Sequence, residues 1–210
     1  MDLTQMLWRF GLLIPAIVIH EVSHGWAAYL LGDTTAKDKG RLSLNPMRHI
    51  DPWGTVLLPL LMIAVLGFGF GYAKPVPVNP YRFKDYRKGM FLTGIAGPAS
   101  NLVLAVFAGL LVRVTGASGL IAFAAYNFAL MNLVLMFFNL IPLPPLDGSR
   151  VLPLLLSDRA LDVYHSIERY GFLIIIAALW LLPSFLGIDP LGWYFGATVF
   201  PLLGLFTGVG

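Results

Sequence analysis

The sequence predicts an all-α polytopic membrane protein with about five to six transmembrane segments, one of them re-entrant or broken, and a short extended or β region near residues 40–80. Three observations carry that expectation. Of 210 residues, 58% are hydrophobic and only 12% charged, well above the apolar share of a soluble globular domain. The apolar residues gather in six runs, Leu7–Leu31, Trp53–Tyr72, Phe91–Val112, Leu120–Leu140, Phe172–Leu186 and Leu191–Leu205, which approach or exceed the roughly 20 residues a helix needs to cross a bilayer. Twelve of the fourteen Lys and Arg residues lie in three stretches between those runs.

Composition also excludes several classes. The chain has no cysteine, which removes disulfides, thiolate metal ligands and thiol nucleophiles and leaves four histidines and the carboxylates as the strong candidate ligands. The net charge of +3 comes from short loops between apolar runs, a pattern suited to anionic lipid headgroups rather than nucleic acid. The N-terminus lacks a basic n-region and a nearby small-residue cleavage site, so no removable signal peptide is expected.

In the first run the only charged or histidine side chains are Arg9, His20, Glu21 and His24. His20-Glu21-Val22-Ser23-His24 has the H-E-x-x-H spacing that puts two imidazoles on one helix face with a glutamate between them, suited to one Zn²⁺ and its water. Ionisable groups at bilayer depth are costly and mark function. The aromatic residues Trp26, Tyr29, Trp53 and Tyr72 read as interface anchors.

The second run, Trp53–Tyr72, contains Pro59, Gly67, Gly69 and Gly71, where a bend is accommodated. If it crossed the membrane, the basic loops on either side of it, Gly32–Pro52 and Ala73–Met90, would face opposite compartments. The charge bias would then fall to nine against five. If it enters and leaves by one face, only Arg9 and Arg113 lie outside the cytoplasm. The re-entrant path fits better. After it, Lys74-Pro75-Val76-Pro77-Val78-Asn79-Pro80 cannot be helical and reads as an extended edge strand or a rigid linker.

A catalytic zinc takes three protein ligands and leaves a fourth position open. Glu168 and Asp162 sit in a charged stretch that reads as a solvated loop or interfacial helix, and His49 and His165 read as loop or interfacial histidines. Asp147 follows the helix-stopping prolines of Asn139-Leu140-Ile141-Pro142-Leu143-Pro144-Pro145-Leu146-Asp147-Gly148 and is the candidate third ligand. Asn101, in Gly97-Pro98-Ala99-Ser100-Asn101, reads first as a polar bridge between helices.

His-Glu-Val-Ser-His, Gly97-Pro98-Ala99-Ser100-Asn101 and Asn139 through Asp147-Gly148, in that order, resemble the site-2 proteases, intramembrane zinc metalloproteases that cut transmembrane helices. Arg41-Leu42-Ser43-Leu44-Asn45-Pro46, His49-Ile50-Asp51-Pro52 and the Lys74–Pro80 loop resemble a compact prokaryotic branch without PDZ or CBS domains. The resemblance covers roughly residues 10 to 152. It implies one zinc per chain on His20, His24 and Asp147, Glu21 as catalytic acid/base, and Asn139 as a donor to the scissile carbonyl or its oxyanion. The expected substrate is a transmembrane protein or peptide in the lipid bilayer of a prokaryotic inner or plasma membrane, with the active site nearer the cytoplasmic face. The expected organisation is one protease domain over residues 1–210, with a core at 7–156 and accessory C-terminal segments at 157–210. The rival readings are a transporter using the same polar residues and an inactive helix-binding scaffold. The first calls for repeat-related halves with paired broken helices, and the second for loss of Glu21 or a ligand; the sequence has neither.

Overall fold

The computed structural model describes the backbone of residues 3–57, 61–62, 72–168 and 170–209, and its regular elements are helical. Helix α1 runs Leu3–Leu30, α2 Thr35–Asp38, α3 Tyr86–Val114, α4 Gly119–Asn139, α5 Gly148–Leu155, α6 Asp158–Glu168, α7 Gly171–Ile176 and α8 Pro190–Thr207; a π-helical stretch, Ala177–Leu186, continues α7.

Helices α3, α4 and α8 have the length and hydropathy to cross a bilayer, and Gly171–Leu186 is a shorter apolar helix. At 28 residues α1 also has the length to cross, and it carries His20, Glu21 and His24. The described residues therefore supply three helices that meet both requirements, against the five to six segments expected. Large apolar side chains point outward from these helices, with Phe107 67% and Val114 84% exposed, as suits an integral membrane protein whose outer faces meet hydrocarbon.

Lipid gives helices little hydrophobic drive to associate, so close packing and small residues must hold the bundle. Ala105 and Ala108 of α3, Ala129 and Leu133 of α4, and Val199 and Leu203 of α8 form one buried cluster. Gly109 allows the tightest approach of α3 to α8, since a Cβ there would stand 2.6 Å from the Phe206 Cβ and 2.9 Å from its carbonyl carbon. Arg113 then donates from Nε to the Phe206 carbonyl at 2.8 Å and from Nη2 to the Leu205 carbonyl at 2.5 Å, satisfying acceptors that the end of α8 leaves open. At the opposite ends, the Asp85 side chain accepts the Lys88 N–H at 3.1 Å to start α3. Asp189 accepts the Gly192 N–H at 2.8 Å, ahead of Pro190, to start α8.

The expected β element is corrected: no strand forms among the described residues, and residues 72–79 have no regular secondary structure. Pro75, Pro77 and Pro80 lack an N–H, and four of the remaining backbone groups of this loop bind side chains instead of a neighbouring strand. Arg41 donates to the Lys74 carbonyl at 2.7 Å, while the Val76 and Asn79 N–H groups donate to Glu21 at 2.9 Å and Asp33 at 2.6 Å. Lys74 adds one backbone bond, to the His49 carbonyl at 2.9 Å.

Pro59, Gly67, Gly69 and Gly71 of the Trp53–Tyr72 run lie outside the described residues. Its two ends meet: the Tyr72 N–H donates to the Gly54 carbonyl at 3.0 Å, and Thr55 Oγ1 donates to the Tyr72 carbonyl at 2.9 Å.

A Gly109→Val substitution forces α3 and α8 apart and is expected to cost about 1–3 kcal/mol. It should be read as a lower unfolding temperature of the detergent-purified protein. Gly196→Val, on α8 where nothing lies within 4 Å of the added Cβ, is the control expected to lose far less.

Candidate metal centre and active-site cavity

The helical spacing of His20 and His24 brings their rings to 4.7 Å between centroids at a near-perpendicular 85°. Each ring has its Nδ1 engaged. His20 Nδ1–H donates to Asn101 Oδ1 at 2.5 Å, and His24 Nδ1–H donates to the Thr93 carbonyl at 2.6 Å. Asn101 presents its oxygen because its Nδ2 donates to Asn132 Oδ1 at 2.8 Å and to the Ala16 carbonyl at 3.4 Å. With only acceptors facing Nδ1, each neutral ring keeps its proton there and its lone pair on Nε2.

Those two Nε2 atoms stand 3.1 Å apart, and Asp147 Oδ2 lies 3.0 Å from the first and 3.1 Å from the second. Three electron-rich atoms at this separation repel one another unless a proton or cation stands among them. Their spacing suits an ion with ligand distances of about 2.0–2.2 Å. All three residues are buried, and they form the only group among the described residues with a metal-ligating arrangement.

Glycine creates the room. A Cβ at Gly97 on α3 would come within 2.6 Å of Cε1 of both His20 and His24, so this position must be bare for the imidazoles to lie against the helix. On the other side, α4 stops at Asn139 and the chain turns through residues 140–147, with a cis peptide between Pro144 and Pro145, before α5 begins. Gly148 lies close enough to the turn that a Cβ would stand 2.5 Å from the Ile141 carbonyl oxygen. Arg150, one turn into α5, places Nη1 3.5 Å from Asp147 Oδ1, which leaves Oδ2 towards the imidazoles.

The three residues border a cavity of about 430 Å³. Glu21 and Asn139 also line it, and Ile17, Leu135, Phe138 and Leu146 supply apolar wall. Glu21 Oε2 accepts the Val76 N–H at 2.9 Å, while Asn139 Nδ2 donates to the Leu135 carbonyl at 2.9 Å within its own helix. The five candidate site residues are thus gathered around one space.

Other expectations change. Asn101 bridges α3 to α4 as expected, and it also orients His20. Tyr72, read as an interface anchor, lines the cavity. His49 is buried in the loop and donates from Nε2 to the Ser43 carbonyl at 2.7 Å, apart from the metal-ligating group. Asp162 is exposed on α6, while the side chains of His165 and Glu168 lie outside the described residues. Asn132, Thr93 and Arg150 were not singled out from sequence. Asn132 had a possible signal, an amide in an otherwise apolar helix, but Thr93 acts through its carbonyl and leaves none.

The profile of Peptidase family M50 matches residues 114–182. The Bacillus subtilis (strain 168) protein named "Putative zinc metalloprotease YwhC" is 40% identical over 191 residues, covering 87% of this chain and 80% of that one. The chain belongs to peptidase family M50. Proteins called Rip2, with the same form of name, are 31% identical over 171 residues in Mycolicibacterium smegmatis and 29% over 185 residues in Mycobacterium tuberculosis (strain ATCC 25618 / H37Rv). The first pairing covers 79% of this chain and 64% of the relative, the second 87% and 68%. No solved structure matches. As an M50 peptidase, the site-2 protease family that the sequence resembles, the chain is a membrane metalloprotease. Zinc is its metal, and two imidazoles with one carboxylate are a donor set suited to that ion.

If the Asn101 amide fixes the His20 tautomer, Asn101→Ala should weaken zinc binding by about 10–100-fold, measured by competition with a chromogenic chelator. Asn132→Ala should move affinity the same way by less, because Asn101 keeps its bond to Ala16.

Proposed function

We propose that the protein is an intramembrane endopeptidase that hydrolyses peptide bonds in or near the transmembrane helices of other membrane proteins. In this reading His20, His24 and Asp147 hold one zinc per chain. The observation that carries it is the convergence of two Nε2 lone pairs and a carboxylate oxygen within 3.1 Å on the wall of a cavity that Glu21 also lines.

When bound, zinc supplies Lewis acidity to a water molecule and to the scissile carbonyl. Glu21 takes a proton from the attacking water and delivers it to the leaving amine, as expected of a carboxylate next to the ligands on the same helix. Asn139 lines the same cavity, and the second N–H of its amide serves as a donor for the carbonyl oxygen as charge develops on it. Apolar wall groups receive side chains flanking the cut. A helical substrate hides its carbonyls in its own hydrogen bonds, so it must unwind locally before Glu21 acts on it.

The same reading places the protein in a prokaryotic inner or plasma membrane, with Trp53–Tyr72 entering and leaving by the cytoplasmic face. Two features support this path. The ends of that run are hydrogen-bonded to each other, and Arg41 and His49 of the loop before it bind Lys74 of the loop after it. The chain then acts as one protease domain over residues 1–210. Residues 157–210 are accessory to the chemistry: α8 packs on α3 and α4, and among the described residues of that part Phe172 lines the cavity.

Purified protein should contain one zinc per chain. Glu21→Gln should retain it while losing cleavage of a membrane-embedded substrate by at least about 10²–10⁴-fold. Metal transport into vesicles that survives Glu21→Gln would favour a transporter, and full cleavage by the variant would remove Glu21 from the mechanism. Because the chain has no cysteine, Lys39→Cys and Lys84→Cys can be labelled singly in intact membranes. Both should react from the cytoplasmic side; labelling from opposite sides would overturn the re-entrant path. Placing helix-stabilising leucines at the cut should slow hydrolysis, and a rate indifferent to them would count against local unwinding.

A further inference from the structure

Asp33 is completely buried, lies three residues beyond the end of α1, and has no part in the chemistry described above. Its Oδ1 accepts the Thr35 N–H at 3.0 Å and the Thr35 hydroxyl at 2.5 Å, and its Oδ2 accepts the Asn79 N–H at 2.6 Å. Arg82 Nη1 stands 3.8 Å from Oδ1. The Asp33 N–H donates to the Ala28 carbonyl at 2.9 Å, so the carboxylate is fixed to the last turn of α1. Gly32, at φ +101°, makes that reversal in a region that side-chain-bearing residues rarely adopt.

The segment gripped by Asp33 also grips Glu21. Val76 is buried, its N–H donates to Glu21 Oε2, and its side chain lies over Gly25, one turn further along α1. A Cβ at Gly25 would stand 2.8 Å from Val76 Cγ1. Helix α1 thus offers a carboxylate within it and another just past its end, and the proline-rich loop is fastened to both. Arg41 holds the start of that loop through the Lys74 carbonyl at 2.7 Å and the Pro75 carbonyl at 3.4 Å. With prolines at 75, 77 and 80, the loop cannot supply a hydrogen-bonded ladder of its own to keep Val76 in register.

We propose that Asp33 is a positioning residue for Glu21: by clamping the Asn79 N–H it holds loop 74–80 so that the Val76 N–H fixes one oxygen of the Glu21 carboxylate and leaves the other free for proton transfer. The idea rests on Glu21 being the acid/base. A glutamate has three side-chain torsions, and a general base must lie within hydrogen-bond reach of its proton, so an anchored oxygen narrows the geometry that matters for rate. Burial alone would raise the Asp33 carboxyl above its ordinary value. The Thr35 and Asn79 hydrogen bonds, with Arg82, outweigh burial and hold it below that value, so the clamp is charged at neutral pH.

The test uses the full-length protein in detergent, as Asp33→Ala and the gentler Asp33→Asn, with zinc content, steady-state kinetics and hydrogen–deuterium exchange read together. Prolines leave amides in the 74–80 segment only at Lys74, Val76, Val78 and Asn79, so the signal resolves to few sites. In the Asp33 variants, exchange at Val76 and Asn79 should rise by about tenfold or more. Turnover should fall by about 10–100-fold with KM within about twofold and zinc retained. In Glu21→Ala, Val76 should lose protection while Asn79 keeps it. Unchanged Val76 exchange in either family of variants overturns the proposal, as does a rate loss that merely follows zinc loss. If both Asp33 variants fail to fold, the Glu21→Ala exchange pattern still decides. Normal cleavage by Glu21→Gln would sink the acid/base role alone, leaving Val76 protection to report on the clamp separately.

Discussion

Two imidazole nitrogens and one carboxylate oxygen, each presenting a lone pair to the others at 3.0–3.1 Å, are the constraint around which this bundle is arranged. Like-charged or electron-rich groups are not gathered in a low-dielectric interior without compensation, so the surrounding helices must enforce the encounter. They do so with hydrogen bonds and with absent side chains. Asn101 and the Thr93 carbonyl turn the two rings, Arg150 turns the carboxylate, and Gly97 removes the atoms that would stand in the way. The cluster of Ala105, Ala108, Ala129 and Leu133 sets how closely α3 and α4 approach, and with that the reach from Asn101 to Asn132.

Much of this site was legible in the sequence because its signals are local. Histidines four apart with a glutamate between them declare a helix face, and a carboxylate just after three prolines declares a broken helix end. The supporting shell was less legible for a physical reason. Thr93 contributes a carbonyl that any residue has, Asn132 matters only through a contact with another helix, and Asp33 looks like an ordinary polar residue after a helix until its burial is known. Six apolar runs signalled a membrane protein, but run length alone did not fix how many helices meet both length and hydropathy requirements.

The Lys74–Pro80 loop shows a different limit. Its alternation of proline and valine correctly excluded helix, yet it suggested a strand edge where the structure has none among the described residues. Alternation reports which way side chains face, whereas a strand needs a partner for its backbone groups. Here those groups find Arg41, Glu21 and Asp33 instead. Tyr72 likewise carried the composition of an interface residue while its position after the Trp53–Tyr72 run brings it to the cavity. In both cases the local pattern was legible while the partner it meets in the fold was not.

Gly97 gives the proposed metal site a route to inactivity that inspection of the histidines and carboxylates would miss. A relative that keeps both histidines, the glutamate and the aspartate, but carries any larger residue at this position, would have its metal pocket plugged by a methyl group or more. Under the proposed assignment such a protein would look intact by its motifs and yet have no room for the two imidazoles, so the facing helix must be read as closely as the one that bears the histidines.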